Sequence, residues 1–72
     1  MERMMICTDV NGEEHCVEPA TTVAELVGGI VDSTRGIAVA VDGRVLPRDR
    51  WSETLGDLRP ESVDILTVVQ GG

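Results

Sequence analysis

The sequence predicts an α+β domain in which a mixed sheet of four to five strands packs on one helix, in the order ββαββ. Three observations carry that expectation. Two turn pairs, Asn11-Gly12 and Asp42-Gly43, each sit between apolar stretches. One apolar series at helical spacing lies between them, and a final stretch of strand-forming residues runs from Ser62 to Val69.

The first strand is expected over Met4 to Val10, which is rich in apolar and β-compatible residues. Asn-Gly is the strongest short signal for a two-residue hairpin, because both central residues of the favoured turn need positive φ. Glu13 to Glu18 should therefore return along the first strand. With only Asn11 and Gly12 in the turn, Ile6 faces Val17 on one side of the hairpin and Cys7 faces Cys16 on the other. Ile6, Val10 and Val17 are assigned to the core.

Pro19 and Ala20 end the second strand, and Thr22 followed three residues later by Glu25 forms a capping-box signature. Val23, Leu26, Val27, Ile30 and Val31 then recur at i, i+3, i+4, i+7 and i+8, which gives one apolar helix face and leaves Glu25 and Asp32 toward solvent. Gly28 and Gly29 together cost such a helix about 1.6 to 2 kcal/mol relative to alanine. They either permit close approach to the sheet or mark a tolerated weakness. Gly36 is the expected helix stop.

A third strand is expected from Ile37 to Val41, with Asp42-Gly43 turning into a short fourth strand, Arg44 to Leu46, closed by Pro47. Trp51 to Arg59 reads as a loop with one helical turn. In the last strand Val63, Ile65, Thr67 and Val69 share one face, and Asp64, Leu66 and Val68 the other. Residues 1–69 thus form the domain and 70–72 a flexible tail. This is the β-grasp order, the one found in ubiquitin.

Composition narrows the function. A chain of 72 residues buries only about 60% of its unfolded surface, enough for one core and little room for an enclosed active site. Carrying or binding is the better expectation, and the chain is read as no enzyme. Thirteen acidic residues against six basic ones give a net charge of −7, with no lysine, so a nucleic-acid backbone would be repelled. The longest apolar run, Ile37 to Val41, is far too short to span a membrane, and the N-terminus shows no charged-then-apolar leader. The expectation is a cytoplasmic protein, monomeric when free, with neither nucleic acid nor membrane as a partner.

After the last strand the sequence ends Gln70-Gly71-Gly72. At average glycine usage a terminal pair arises by chance in roughly one chain in 200, so it becomes informative only when joined to the rest of the pattern. The chain resembles the thiamin-biosynthesis sulfur carrier family (ThiS). The stretches that carry the resemblance are the Asn11-Gly12 turn, Thr21-Thr22-Val23-Ala24-Glu25-Leu26, Ala40-Val41-Asp42-Gly43, Val45-Leu46-Pro47-Arg48 with Trp51, and Val69-Gln70-Gly71-Gly72.

The resemblance implies that Gly72 is the sulfur-carrying residue, with Gly71 and Gln70 completing the tail. A ubiquitin-activating-type adenylyltransferase would use ATP and Mg to adenylate its carboxylate. A cysteine desulfurase relay would then supply sulfur to give a thiocarboxylate, which a thiazole synthase would consume. The carrier itself would bind no cofactor. A tail without side chains suits threading into a nucleotide site, because glycine bends wherever a channel requires. The rivals are carriage for molybdopterin, cysteine or secondary-metabolite pathways and, in a different class, a protein modifier or a passive interaction domain.

Other residues admit two readings each. Trp51 either roofs the core beside Pro47 or docks a partner. Leu66 and Val68, on the face away from the helix and next to the tail, either suit a partner's recognition surface or are covered. Arg48 and Arg50 either steer toward acidic patches or solvate the fold. Cys7, His15 and Cys16 fall short of the four ligands of a structural zinc site, and His15 points to the opposite face from the cysteines. No metal is therefore expected. The cysteines are expected to be two free thiols, although their register would permit a disulfide. Two cysteines also exclude a two-iron cluster, which needs four ligands.

Overall fold

The computed structural model describes residues 4–67. Five strands, β1 (Ile6–Val10), β2 (Glu13–Val17), β3 (Ile37–Val41), β4 (Arg44–Leu46) and β5 (Ser62–Thr67), form one sheet in the order β2-β1-β5-β3-β4. Only β1 and β5 run parallel; the other neighbours are antiparallel. Helix α1 (Val23–Ile30) crosses one face. A 3₁₀ turn (Arg48–Arg50) and a four-residue helix α2 (Leu55–Leu58) lie between β4 and β5. This is the β-grasp expected from the order of elements.

The hairpins form as their turn residues dictate. Asn11 and Gly12 have φ of 52° and 88°, and Asp42 and Gly43 have 50° and 85°, so both turns place positive φ at both central residues. The β1–β2 register pairs Ile6 with Val17 and Cys7 with Cys16, as predicted.

Helix α1 begins on the full capping box. The Glu25 amide donates to Thr22 Oγ1 at 3.1 Å, and the Thr22 amide donates to Glu25 Oε1 at 2.9 Å. The next two amides, which no helical carbonyl can serve, donate to the segment after the 3₁₀ turn: Val23 to the Glu53 carbonyl and Ala24 to the Trp51 carbonyl, each at 3.0 Å. The helix start is thus stitched to the β4–β5 connection.

The core gathers Val23, Leu26 and Val27 from α1, Val10, Val39, Leu46, Val63 and Ile65 from the strands, and Trp51 and Leu55 from the connection. Three sequence expectations need correction. Ile30 is 40% exposed, because α1 ends there and Val31, already extended at ψ 149°, packs inward instead. The helix also stops well before Gly36, whose φ of 65° serves the turn into β3; residues 32–35 carry nothing apolar to bury. Ile6 and the facing Val17 are half-buried rather than core; Ile6 sits at the open end of β1 and lines a surface groove, and Val17 packs against the core's edge.

Gly28 and Gly29 are exposed, and a β-carbon built on either meets nothing within 4 Å. Close approach to the sheet is therefore not their reason.

Thr8 is a cost inside the fold. It is 2% exposed on the core side of β1, and its Oγ1 has no hydrogen-bond partner among the described residues. A buried hydroxyl left unpaired costs about 1 to 3 kcal/mol. Thr8→Val keeps the branched shape and removes the hydroxyl, so it is expected to stabilise the protein by about 1 to 2 kcal/mol. A urea titration followed by circular dichroism reads this directly, and an unchanged or lower midpoint would show that the hydroxyl is satisfied.

Candidate functional site

The strand that leads to the C-terminus is held from both sides. On one side β3 pairs with all but its first residue, from Val41 opposite Val63 to Ile37 opposite Thr67. On the other side β1 runs out after Val10 opposite Val63, and the Asn11 side chain takes over. Its Oδ1 accepts from the Ile65 amide at 2.8 Å, and its Nδ2 donates to the Ile65 carbonyl at 3.3 Å, copying the two bonds of a neighbouring strand. At the start of β5, Asp42 Oδ1 accepts from the amides of Glu61 and Ser62 at 2.9 and 3.0 Å. Both hairpin turns thus use a side chain to fix β5. The sequence reading gave these residues turn roles only.

Around β5 the outer face of the sheet, opposite α1, presents a small apolar strip. Leu66 is 52% exposed and Val45 70% exposed. Ala38 lies opposite Leu66, and Ala40 opposite both Val45 and Asp64. The alanines are short, so the two larger side chains stand above the sheet. Of the two readings for Leu66, the uncovered one holds. Val45 joins it by alternation along β4, a signal the sequence reading left unused.

Trp51 is a core residue, 5% exposed, and is corrected from the docking set. Its Nε1 donates to the Leu46 carbonyl at 3.2 Å, and the Arg48 guanidinium stacks over its ring at 4.5 Å. Arg48 also donates to the carbonyl and hydroxyl of Thr34 and, at 3.5 Å, to the Ile37 carbonyl. Its charge therefore fastens the loop before β3 rather than standing free to steer a partner. Arg50 pairs with Glu53, whose hydrogen bond and charge raise the guanidinium further above its ordinary range. Val68, Gln70, Gly71 and Gly72 lie outside the described residues.

Cys7 and Cys16 are joined by a disulfide, with Cα atoms 3.9 Å apart, which corrects the expectation of two free thiols. Facing positions on a narrow antiparallel pair bring the side chains closest, so the register itself delivers the sulfurs to each other. His15 lies on the other face, as expected, opposite Thr8.

At the end of the sheet where β1 begins, an open groove of about 370 Å³ is lined by Met4, Ile6, Cys7, Pro19, Gly56, Arg59 and Pro60. It lies at the far end from Thr67, because β1 and β5 run parallel with Asp9 beside Ser62. Among the described residues no helix is long and apolar enough to cross a membrane.

The sequence model of the ThiS family matches residues 4–72. No curated protein matches the chain.

Proposed function

The chain belongs to the ThiS family of small ubiquitin-like sulfur carriers, and from that premise we propose that its working group is the Gly72 carboxylate, loaded as a thiocarboxylate for thiazole formation in thiamin biosynthesis. The observation that carries this reading is the extent of the family match, which runs through the terminal Gly71-Gly72. Family members are carriers that work with activating enzymes and sulfur-transfer partners. The finer steps are our reading.

A carboxylate resists attack until one oxygen becomes part of a leaving group. An adenylyltransferase of the ubiquitin-activating type, with ATP and Mg, joins the Gly72 carboxylate to AMP and releases pyrophosphate. Persulfide sulfur from a cysteine desulfurase relay displaces AMP. Reductive cleavage of the resulting acyl disulfide by a thiol leaves the thiocarboxylate, and a thiazole synthase takes the sulfur.

What this chain contributes is placement. Strand β5 is fixed on both sides, and the Leu66–Val45 strip beside it offers an apolar surface of the kind that anchors partners. The choice of thiazole over other acceptors rests on the Pro47-Arg48 and Trp51 pattern and on the short length.

The test is the intact mass of the protein after incubation with its activating enzyme, ATP and a sulfur source, beside a variant lacking Gly72. The expected result is a gain equal to exchanging one oxygen for sulfur, absent from the variant. Transfer of that sulfur to product by a thiazole synthase would then support the thiamin assignment. An unchanged mass with an active enzyme would overturn the thiocarboxylate, and a loaded protein that a thiazole synthase ignores would overturn the acceptor alone.

A further inference from the structure

We propose that reduction of the Cys7–Cys16 disulfide opens a site for one thiophilic divalent cation of the zinc class, held by the two sulfurs and the Glu14 carboxylate. The proposal stands on the geometry of the β1–β2 hairpin and does not depend on the C-terminal chemistry.

Cys7, Cys16 and Glu14 share the outer face. Cys7 lies opposite Cys16, and Glu14 is two residues from Cys16 on β2, opposite Asp9. One ligand atom from each of the three lies within 4.8 Å of the others, and all three residues are exposed. Asp9, two residues from Cys7 on the same face of β1, already accepts a hydrogen bond from the Gly12 amide at 2.7 Å. No hydrogen bond or ion pair occupies the Glu14 carboxylate among the described residues.

The spacing suits the metal. Zinc–sulfur bonds of about 2.3 Å in a tetrahedral site set the two sulfurs roughly 3.8 Å apart. Facing residues of a narrow antiparallel pair hold their side chains close together, so two unbonded sulfurs can reach that separation by turning about their own side-chain bonds. Three protein ligands leave a fourth position for water. The net charge of −7 adds a field that favours a cation over an anion at this face. The candidate trio in the sequence was Cys7, His15 and Cys16; the register removes His15 and puts Glu14 in its place.

Oxidation closes the site, because sulfurs bonded to each other are not thiolate ligands. Two equivalents of a monothiol break the S–S bond, leaving a thiol on Cys7 and on Cys16 and forming the external disulfide. The cation then displaces the two thiol protons, so binding weakens as pH falls.

Cadmium(II) is the probe, since its bonds to thiolates add an ultraviolet charge-transfer band. The protein is reduced with a phosphine, freed of reductant without oxygen, and titrated with the metal alone. The expected result is a band that saturates at one metal per chain, absent from the oxidised protein and lost in Cys7→Ser. Glu14→Gln, a surface change that leaves both sulfurs, is expected to bind about tenfold more weakly. Absence of the band after reduction would overturn the proposal, as would saturation at one metal per two chains or undiminished affinity in Glu14→Gln. Tryptophan emission reports whether the reduced chain stays folded, and its shift to the unfolded position on reduction would overturn the site as well.

Discussion

Trp51→Ala is expected to lower the free energy of unfolding by about 3 to 5 kcal/mol. A domain of this length holds a total of roughly 4 to 11 kcal/mol, so the substitution removes a large part of what keeps the chain folded. The size follows from how many elements meet at this one side chain. The ring belongs to the core formed with residues of α1 and of four strands, β1, β3, β4 and β5. Its Nε1 serves the Leu46 carbonyl at the end of β4, and its backbone carbonyl accepts from Ala24 in the first turn of α1. Truncation therefore leaves a cavity, takes one hydrogen bond from the Leu46 carbonyl and uncovers the Arg48 guanidinium together. Trp51→Phe separates these effects, because it keeps most of the apolar contact and loses the N–H; its expected cost is about 1 to 2 kcal/mol. Urea unfolding followed by circular dichroism is the measurement, since the only fluorophore is removed in both variants. A loss under about 1 kcal/mol in Trp51→Ala, the size of an ordinary surface effect, would mean that the ring is not the centre of this core.

The parts of the fold legible in the sequence are those encoded by neighbours in the chain. Asn11-Gly12 and Asp42-Gly43 set both hairpins and their registers, and Thr22 with Glu25 set the start of α1, because each signal acts over two to four residues. The end of α1 is not legible because Gly36 is a strong local stop, whereas the helix ends at Ile30, where Val31 turns extended and packs on the core and residues 32–35 offer nothing apolar to continue the series. Leu55, fully buried, was passed over since a four-residue helix has no period to detect. Its only trace was Thr54 ahead of Asp57, and the Thr54 side chain does accept from the Asp57 amide.

The candidate site divides the same way. Strand alternation puts Leu66 on the face away from the helix but leaves open whether anything covers it, and the structure shows it exposed. Asn11 was read as a turn residue, yet its side chain spans 54 positions to Ile65, a contact that local pattern does not announce. Trp51 admitted both burial and docking because a lone aromatic has no periodic context; only the position of Leu46 and α1 decides between them. Glu14 beside the two cysteines likewise emerges from register rather than from any motif.

Glycine-to-alanine substitutions are expected to change stability with opposite signs at two places in this fold. At Gly28 and Gly29 an added β-carbon meets nothing within 4 Å, both residues are exposed, and the helix already has its capping box. The double variant should gain about 1.5 to 2 kcal/mol from the reduced entropy of the unfolded chain and the better helix propensity. At Gly56 the same atom would lie 2.9 Å from the Pro19 β-carbon and 2.9 Å from the Pro19 carbonyl oxygen. That carbonyl accepts the Gly56 amide, and its neighbour Leu55 donates to the Thr21 carbonyl. The β2–α1 connection and α2 are thus bonded too closely for α2 to shift away cheaply, and Gly56→Ala should cost about 1 to 3 kcal/mol. Thermal or urea midpoints of the variants against the parent read the signs. Stabilisation by Gly56→Ala would show that the Pro19 contact yields, and destabilisation by the Gly28 and Gly29 changes would show that those residues serve a contact beyond the helix itself.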